Sequence, residues 1–169
     1  LWLNCAQTFG TDVAGIASED VSMMQTYYSA GTLVALFVTS ILITKFKQVR
    51  SLVIYPVISL VMLVLVYMVK SPLICYVGAF VIGYAGAGGV LQMVTAVAND
   101  LFPKIKGTLT SLVMIASSLC NYTILTAASN MSASGVIVMN IVITIIGIVL
   151  AVFVNVRYGV LLKNADTSK

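Results

Sequence analysis

The chain has 169 residues, of which 60% are hydrophobic and 8% charged, with a net charge of +4 and a mean hydropathy of +1.09. Soluble domains carry about 25% charged residues, so this chain has too few charges to cover a water-facing surface and must meet lipid over most of its area. The basic excess sits in loops rather than in a run with interleaved aromatics, so nucleic acid is not an expected partner. The chain contains no His, which rules out Ser–His and Cys–His nucleophile pairs. No two carboxylates share a span to form an acid dyad. An enzyme is not expected. Cys5, Cys75 and Cys120 stand alone in apolar stretches and offer neither a disulfide framework nor metal-ligand spacing. Neither a cofactor nor a metal is expected.

Residues 1–18 open with Leu1-Trp2-Leu3, as though continuing a membrane helix, but Asn4, Gln7, Thr8, Gly10 and Asp12 come quickly after. They read as the outer end of a helix whose first part precedes residue 1, and Glu19 and Asp20 then mark an aqueous turn. The first residue is Leu rather than Met, and the chain reads as a piece of a longer protein with no cleavable signal. A bilayer core about 30 Å thick needs about 20 apolar helical residues. Residues 52–69, 73–98, 108–128 and 135–156 meet this, and residues 27–44 are slightly short but uncharged. Barrel strands would show segments of about ten residues alternating in polarity, whereas these runs are longer and apolar throughout. The predicted fold is all-α, a polytopic transmembrane helical bundle of five full spans plus the end of a sixth. The bundle occupies 19–158, and 159–169 form a cytoplasmic tail.

The charges set a topology. Lys45, Lys47 and Arg50 come after the first full span, Lys104 and Lys106 after the third, and Arg157, Lys163 and Lys169 after the fifth. Only Lys70 lies on the other side, with Asp12, Glu19 and Asp20. Basic loops stay in the cytoplasm, so the C-terminus is expected there and the protein in the cell membrane.

Within the third full span, Gly78, Ala85, Gly88, Gly89, Gln92, Thr95, Ala96 and Asn99 share one face at helical spacing. The run from Gly83 to Gly89 is dense enough in glycine to bend or loosen that helix. Such a face packs helices closely or lines a solute path in which Gln92 offers hydrogen bonds. The fourth span carries Thr110, Ser117, Asn121 and Ala128 on one face, and the fifth carries Asn140, Thr144, Gly147, Ala151 and Asn155, where packing is favoured. Gly78, Gly83, Gly88, Gly89 and Gly147 are the expected helix-packing small residues. The first span has a mild polar stripe at Tyr28, Thr32, Ala35 and Thr39. The second has only Ser59 inside it and looks lipid-exposed, and Pro56 is placed in its first turn, where proline is tolerated.

In its pattern of spans the chain resembles the C-terminal half of a major facilitator superfamily transporter, helices seven to twelve with the seventh truncated. Gly31 with the later run Lys45-Phe46-Lys47-Gln48-Val49-Arg50 is similar to the second copy of the family's loop motif, without its Asp and second Gly. Gly83-Tyr84-Ala85-Gly86-Ala87-Gly88-Gly89 looks like the glycine-rich tenth helix. The run from Phe102-Pro103-Lys104 to Thr110-Ser111 is similar to the short connection between the tenth and eleventh helices. The resemblance implies a solute carrier working by alternating access, completed by an N-terminal six-helix half of the same protein, in a lipid bilayer. It nominates Asn4, Gln7, Thr32, Gln92 and Asn121 for the substrate cavity. The solute is expected to be small and neutral or weakly polar, because no charged group lies in the middle of a full span. The alternative is a non-catalytic scaffold or accessory subunit of a larger membrane complex, with every polar stripe satisfied by packing.

Overall fold

The computed structural model describes residues 2–45 and 48–167, the side chains of 3, 4, 42–45, 48, 49, 87 and 161–167 excepted. The order is α1 (Trp2–Asp12), α2 (Met23–Lys45), α3 (Gln48–Val69), α4 (Pro72–Ile82), a π segment (Gly83–Val90), α5 (Leu91–Leu101), a short 3₁₀ turn (Pro103–Ile105), α6 (Lys106–Ala128) and α7 (Ala133–Thr167). No strand occurs among the described residues. The chain is an all-α membrane helical bundle. Among the described residues, four helical stretches are long and apolar enough to cross a bilayer: Arg50–Val69, Pro72–Leu101, Pro103–Ala128 and Ala133–Val160. The first expected full span coincides with α2, whose 23 residues reach about 35 Å at 1.5 Å per residue. α7 runs 35 residues, about 52 Å, and stays helical through most of the stretch read as a tail.

The connections are set by a few residues. Lys70 takes the left-handed conformation (φ 49°) that closes α3. Ser71 is extended, and Pro72 opens α4 at the first position, where its missing N–H costs nothing. Gly15, also left-handed at φ 68°, turns the chain after α1. Glu19 and Asp20 are exposed in the next turn.

The glycine run loosens its helix, as its density in glycine implied, without interrupting it. It widens it into eight residues of π-helix between α4 and α5, where backbone bonds run from i to i+5. α2 lies against this segment more extensively than any other two elements pack, and the contact is backbone to backbone. A Cβ on Gly31 would strike the Phe80 carbonyl, one on Gly83 the Tyr28 carbonyl, and one on Gly88 the Ala35 methyl. Thr32 fastens the crossing: its hydroxyl donates to the Tyr28 carbonyl at 3.0 Å within α2 and to the Gly83 carbonyl at 3.3 Å across it. On the far side, α3 lays the Tyr55 ring where a Gly89 side chain would stand. The Tyr55 ring lies 5.8 Å from that of Tyr84, and its hydroxyl is 3.1 Å from Thr39 Oγ1 of α2. Three elements meet at one junction.

α3 departs from expectation in two ways. It begins at Gln48, so Pro56 sits inside the helix rather than in its first turn and cannot give an N–H to the Leu52 carbonyl. Nor is the helix wholly lipid-exposed. Leu52, Tyr55, Ser59, Leu63 and Val66 are buried at helical spacing against α7, α4 and the π segment, while Ile54, Val61 and Met68 remain exposed. Its even apolarity concealed which face is inside. Two cores result, one around Phe9, Met24, Leu63, Cys75 and Ile137, the other around Tyr55, Ala85, Met93 and Ala151.

α6 is held differently. It packs on α5 and the 3₁₀ turn, and Asn99 Nδ2 donates to Thr110 Oγ1 at 3.2 Å near its start. Only 6% of its most apolar stretch is buried, against 47% for the crossing built from α4, the π segment and α5.

The glycine contacts make stability testable by denaturant unfolding in detergent. Gly83→Leu should destabilise the protein by roughly 3 kcal/mol, the upper end of typical overpacking costs. Gly107→Ala, where nothing lies within 4 Å, should leave stability unchanged or slightly raised. Tyr55→Phe, which deletes the bond to Thr39, should cost about 0.6–1.7 kcal/mol, the range of interhelical hydrogen bonds in membranes. Pairing it with Thr39→Val in a double-mutant cycle isolates that contribution.

Candidate functional site

The five nominated cavity residues fall on four elements. Gln7, on α1, is exposed and its amide reaches the Gln25 side-chain oxygen at 3.5 Å. Asn4 lies on the same helix, but its side chain is outside the described residues. Thr32 spends its hydroxyl on the α2–π crossing. Gln92, the second residue of α5, is half-buried, and Asn121 on α6 is exposed. Neither makes a side-chain hydrogen bond among the described residues. None of the described nominees lines any of three cavities within the bundle, taken in turn below.

Part of the reason is the π segment. The face drawn from Gly78 to Asn99 assumes one helical period, whereas the wider turn between α4 and α5 rotates the second helix relative to the first. Along that face, Thr95 bonds back to the Leu91 carbonyl at 2.9 Å and Asn99 is paired with Thr110. At Gly78 a Cβ would strike a Val66 methyl, and at Gly83, Gly88 and Gly89 it would meet the contacts described above. At Gly147 it would meet nothing within 4 Å.

The space inside the bundle lies elsewhere. A cavity of about 340 Å³ opens between α1, α2, α3, the π segment and α7, with Trp2, Tyr28, Ser59, Gly86, Asn140 and Thr144 in its wall. A second, about 370 Å³, is bounded by Leu52, Val94, Val97, Leu101, Leu150 and Val154, all apolar. These two share Pro56, Val90 and Gly147 as a common boundary. A third, about 300 Å³, lies between α1 and the adjoining ends of α6 and α7, beside Cys5, Thr8, Leu125 and Ser129. Sequence reasoning passed over Ser59, which lies on a helix read as lipid-facing, and Asn140, which was read as packing. A lone hydroxyl on an otherwise apolar helix, and an amide and a hydroxyl four residues apart on another, were the available signals. Among the described residues no three His, Cys, Asp or Glu side chains gather as a metal site.

Membrane-length helices packed through glycine, with uncharged polar groups and cavities among them, define a polytopic integral membrane protein. Comparison with known proteins gives the family. Over 149 residues the chain is 32% identical to the inner membrane transport protein YdiN of Escherichia coli strain K12, covering 86% of this chain and 35% of that protein. It is 31% identical over 153 residues to the inner membrane transport protein YdiM of the same organism, covering 88% and 38%. It is also 29% identical over 163 residues to YfkL of Bacillus subtilis strain 168, an uncharacterized MFS-type transporter, covering 94% and 40%. The chain belongs with the transporters of the major facilitator superfamily, as its sequence resemblance implied. It spans between a third and two fifths of the length of these curated relatives. No protein-family model and no solved structure matches it.

Proposed function

We propose that this chain is the C-terminal half of a secondary carrier that moves a small, uncharged or weakly polar solute by alternating access. In this reading α1 is the end of the seventh helix, α2 and α3 are the eighth and ninth, and α4, the π segment and α5 together are the tenth. α6 and α7 are then the eleventh and twelfth. The observation that carries the reading is α6, a membrane-length helix left almost wholly unburied in a chain whose relatives are transport proteins. Ser117 and Asn121 lie on one face of α6 and both are exposed. Polar groups on a membrane helix face the bundle interior or water, so this face is assigned to the aqueous path between two six-helix halves, the other half being N-terminal in the same protein. The eight basic residues in alternate loops, against Lys70 alone on the other side, support a cytoplasmic C-terminus. Any group that titrates during coupling belongs to the other half, since no charge lies mid-span here. The chemistry is transport rather than catalysis.

Asn4, Gln7, Thr32, Gln92 and Asn121 are the proposed contributions of this half to the path. Gln92 and Asn121 are the two to test, because their amides are uncommitted. In the full-length protein in proteoliposomes, screened against a solute panel with and without a proton gradient, Gln92→Ala and Asn121→Ala should each lower transport roughly fivefold. That is the worth of one hydrogen bond of about 1 kcal/mol, with membrane expression unchanged. Unaltered kinetics in both would remove them from the path.

One observation favours a second reading. The hydroxyls of Thr32, Thr95, Thr110 and Thr144 are all engaged in bonds within or between helices, as a non-catalytic scaffold or accessory subunit would require. Such a protein, folded and oriented, would move no solute of a broad panel.

A further inference from the structure

The polar and apolar cavities that meet at Pro56, Val90 and Gly147 form one cleft of two compartments, and nothing in the proposed solute path uses it. The polar compartment has in its wall three uncharged polar groups that lack protein partners among the described residues, of which the Trp2 indole N–H is fully buried. Ser59 is 5% exposed and lines it, yet its hydroxyl makes no hydrogen bond among the described residues. The Asn140 side-chain amide lines it and is likewise unpaired among them; only the backbone carbonyl of Asn140 is used, accepting from Thr144 Oγ1 at 2.7 Å. The indole N–H of Trp2, in the same wall, is buried with no partner among the described residues. A buried N–H costs free energy until it is hydrogen-bonded, so the Trp2 indole, with the unpaired Ser59 hydroxyl and Asn140 amide in the same wall, indicates an occupant that pairs with them.

The second compartment is of opposite character. Its wall is entirely apolar, and Val94 and Leu150 there are exposed, so it opens at the surface of the bundle. Neither compartment has an Asp, Glu, Lys or Arg in its wall, which excludes a fixed counter-ion and so favours an uncharged occupant. The π segment shapes the junction: Gly86 faces Ser59, whose Oγ would lie 3.4 Å from a Cβ added there, and Val90 ends the widened turn. The order of compartments also discriminates. The polar one lies at the middle of α3, at Ser59, and within the first half of α7, at Asn140 to Thr144, and the apolar one runs from mid-α7 toward the Leu52 and Leu101 end. A phospholipid lying along the bundle would present its head at a helix end and its chains at mid-span, the reverse arrangement.

We propose that this cleft binds a small uncharged amphiphile, with a hydroxyl or amide end held by Ser59 and Asn140 and an aliphatic part lying between α3, α5 and α7. The site is inside this half of the bundle and separate from any path between halves. Each compartment is in the size range of small-molecule pockets, about 300–1,000 Å³.

The test uses the full-length protein in nanodiscs and a diazirine-bearing analogue of 1-decanol, with cross-linked peptides located by mass spectrometry. Label should concentrate in residues 90–101 and 147–154 and be competed by 1-decanol at least fivefold better than by decane, decanoate or decyltrimethylammonium. Gly147→Leu fills the junction, where a new side chain meets open space, and should abolish the competed label. Leu150→Trp, at an exposed position of the apolar wall, should do the same. Asn140→Leu combined with Ser59→Ala should erase the preference for decanol over decane. Competition by decane equal to that by decanol would mean that lipid chains merely fill the groove, and overturns the proposal. So does label spread evenly over α6, or label in residues 147–154 that both Gly147→Leu and Leu150→Trp leave unchanged. None of these readouts depends on transport, so failure here leaves the carrier reading untouched, and the converse holds.

Discussion

The contact on which the rest of the bundle depends is the crossing of α2 with the π segment, where two helix backbones touch without side chains between them. In lipid there is no hydrophobic driving force between helices, so association relies on close van der Waals packing and interhelical hydrogen bonds. Gly31, Gly83 and Gly88 permit the approach, and Thr32 converts it into a hydrogen bond to a carbonyl of the partner helix. That carbonyl belongs to a turn whose bonds run i to i+5, so the same local irregularity both widens the helix and supports the cross-bond. Tyr55 then occupies the space that Gly89 leaves, bringing α3 to the junction, and α3 in turn carries α7. Remove the glycines and α2, α3 and α7 all lose their seats.

This arrangement divides the chain into a tightly joined part and a lightly attached one. The tightly joined part holds the cavities with unpaired polar groups at Ser59, Asn140 and Trp2. The lightly attached part is α6, secured at its start by Thr110 and Asn99 and unburied over the polar face that carries Ser117 and Asn121. At the same end of the bundle Tyr158 donates to Asp100 at 3.4 Å, so α5 and α7 are also tied together there. A carrier that rocks one half against another needs a rigid half and a surface that meets the other half. On the proposed reading, the crossing would supply the first and α6 the second.

Much of the architecture was legible in the sequence because length and apolarity decide it. Runs near 20 residues, too long for strands, gave helices whose starts and ends mostly fall within a few residues of expectation, and the resemblance to the transporter family holds. The features that were not legible have specific physical causes. Nothing in the spacing of Gly78, Gly83 and Gly89 reveals an i to i+5 turn, so a face drawn at one period across it mixes two orientations. α3 is apolar on every side, and its inner face is chosen by the partners it meets rather than by its own pattern, which is why Ser59 and the interior position of Pro56 were missed. The polar stripe that carries Thr32 does not announce that its hydroxyl also fastens a helix crossing through a neighbouring carbonyl. Gly147 reads as a packing residue until the space beside it is seen to be open.

The most direct measurement is a cysteine-accessibility scan along α6 in the full-length protein with Cys120 replaced, using a membrane-impermeant maleimide. The account predicts a reactive stripe at helical spacing that includes positions 117 and 121, set against unreactive positions 112, 115 and 119 on the opposite face. Equal protection of both faces, or reactivity confined to the lipid side, would contradict the assignment of this helix to an aqueous path.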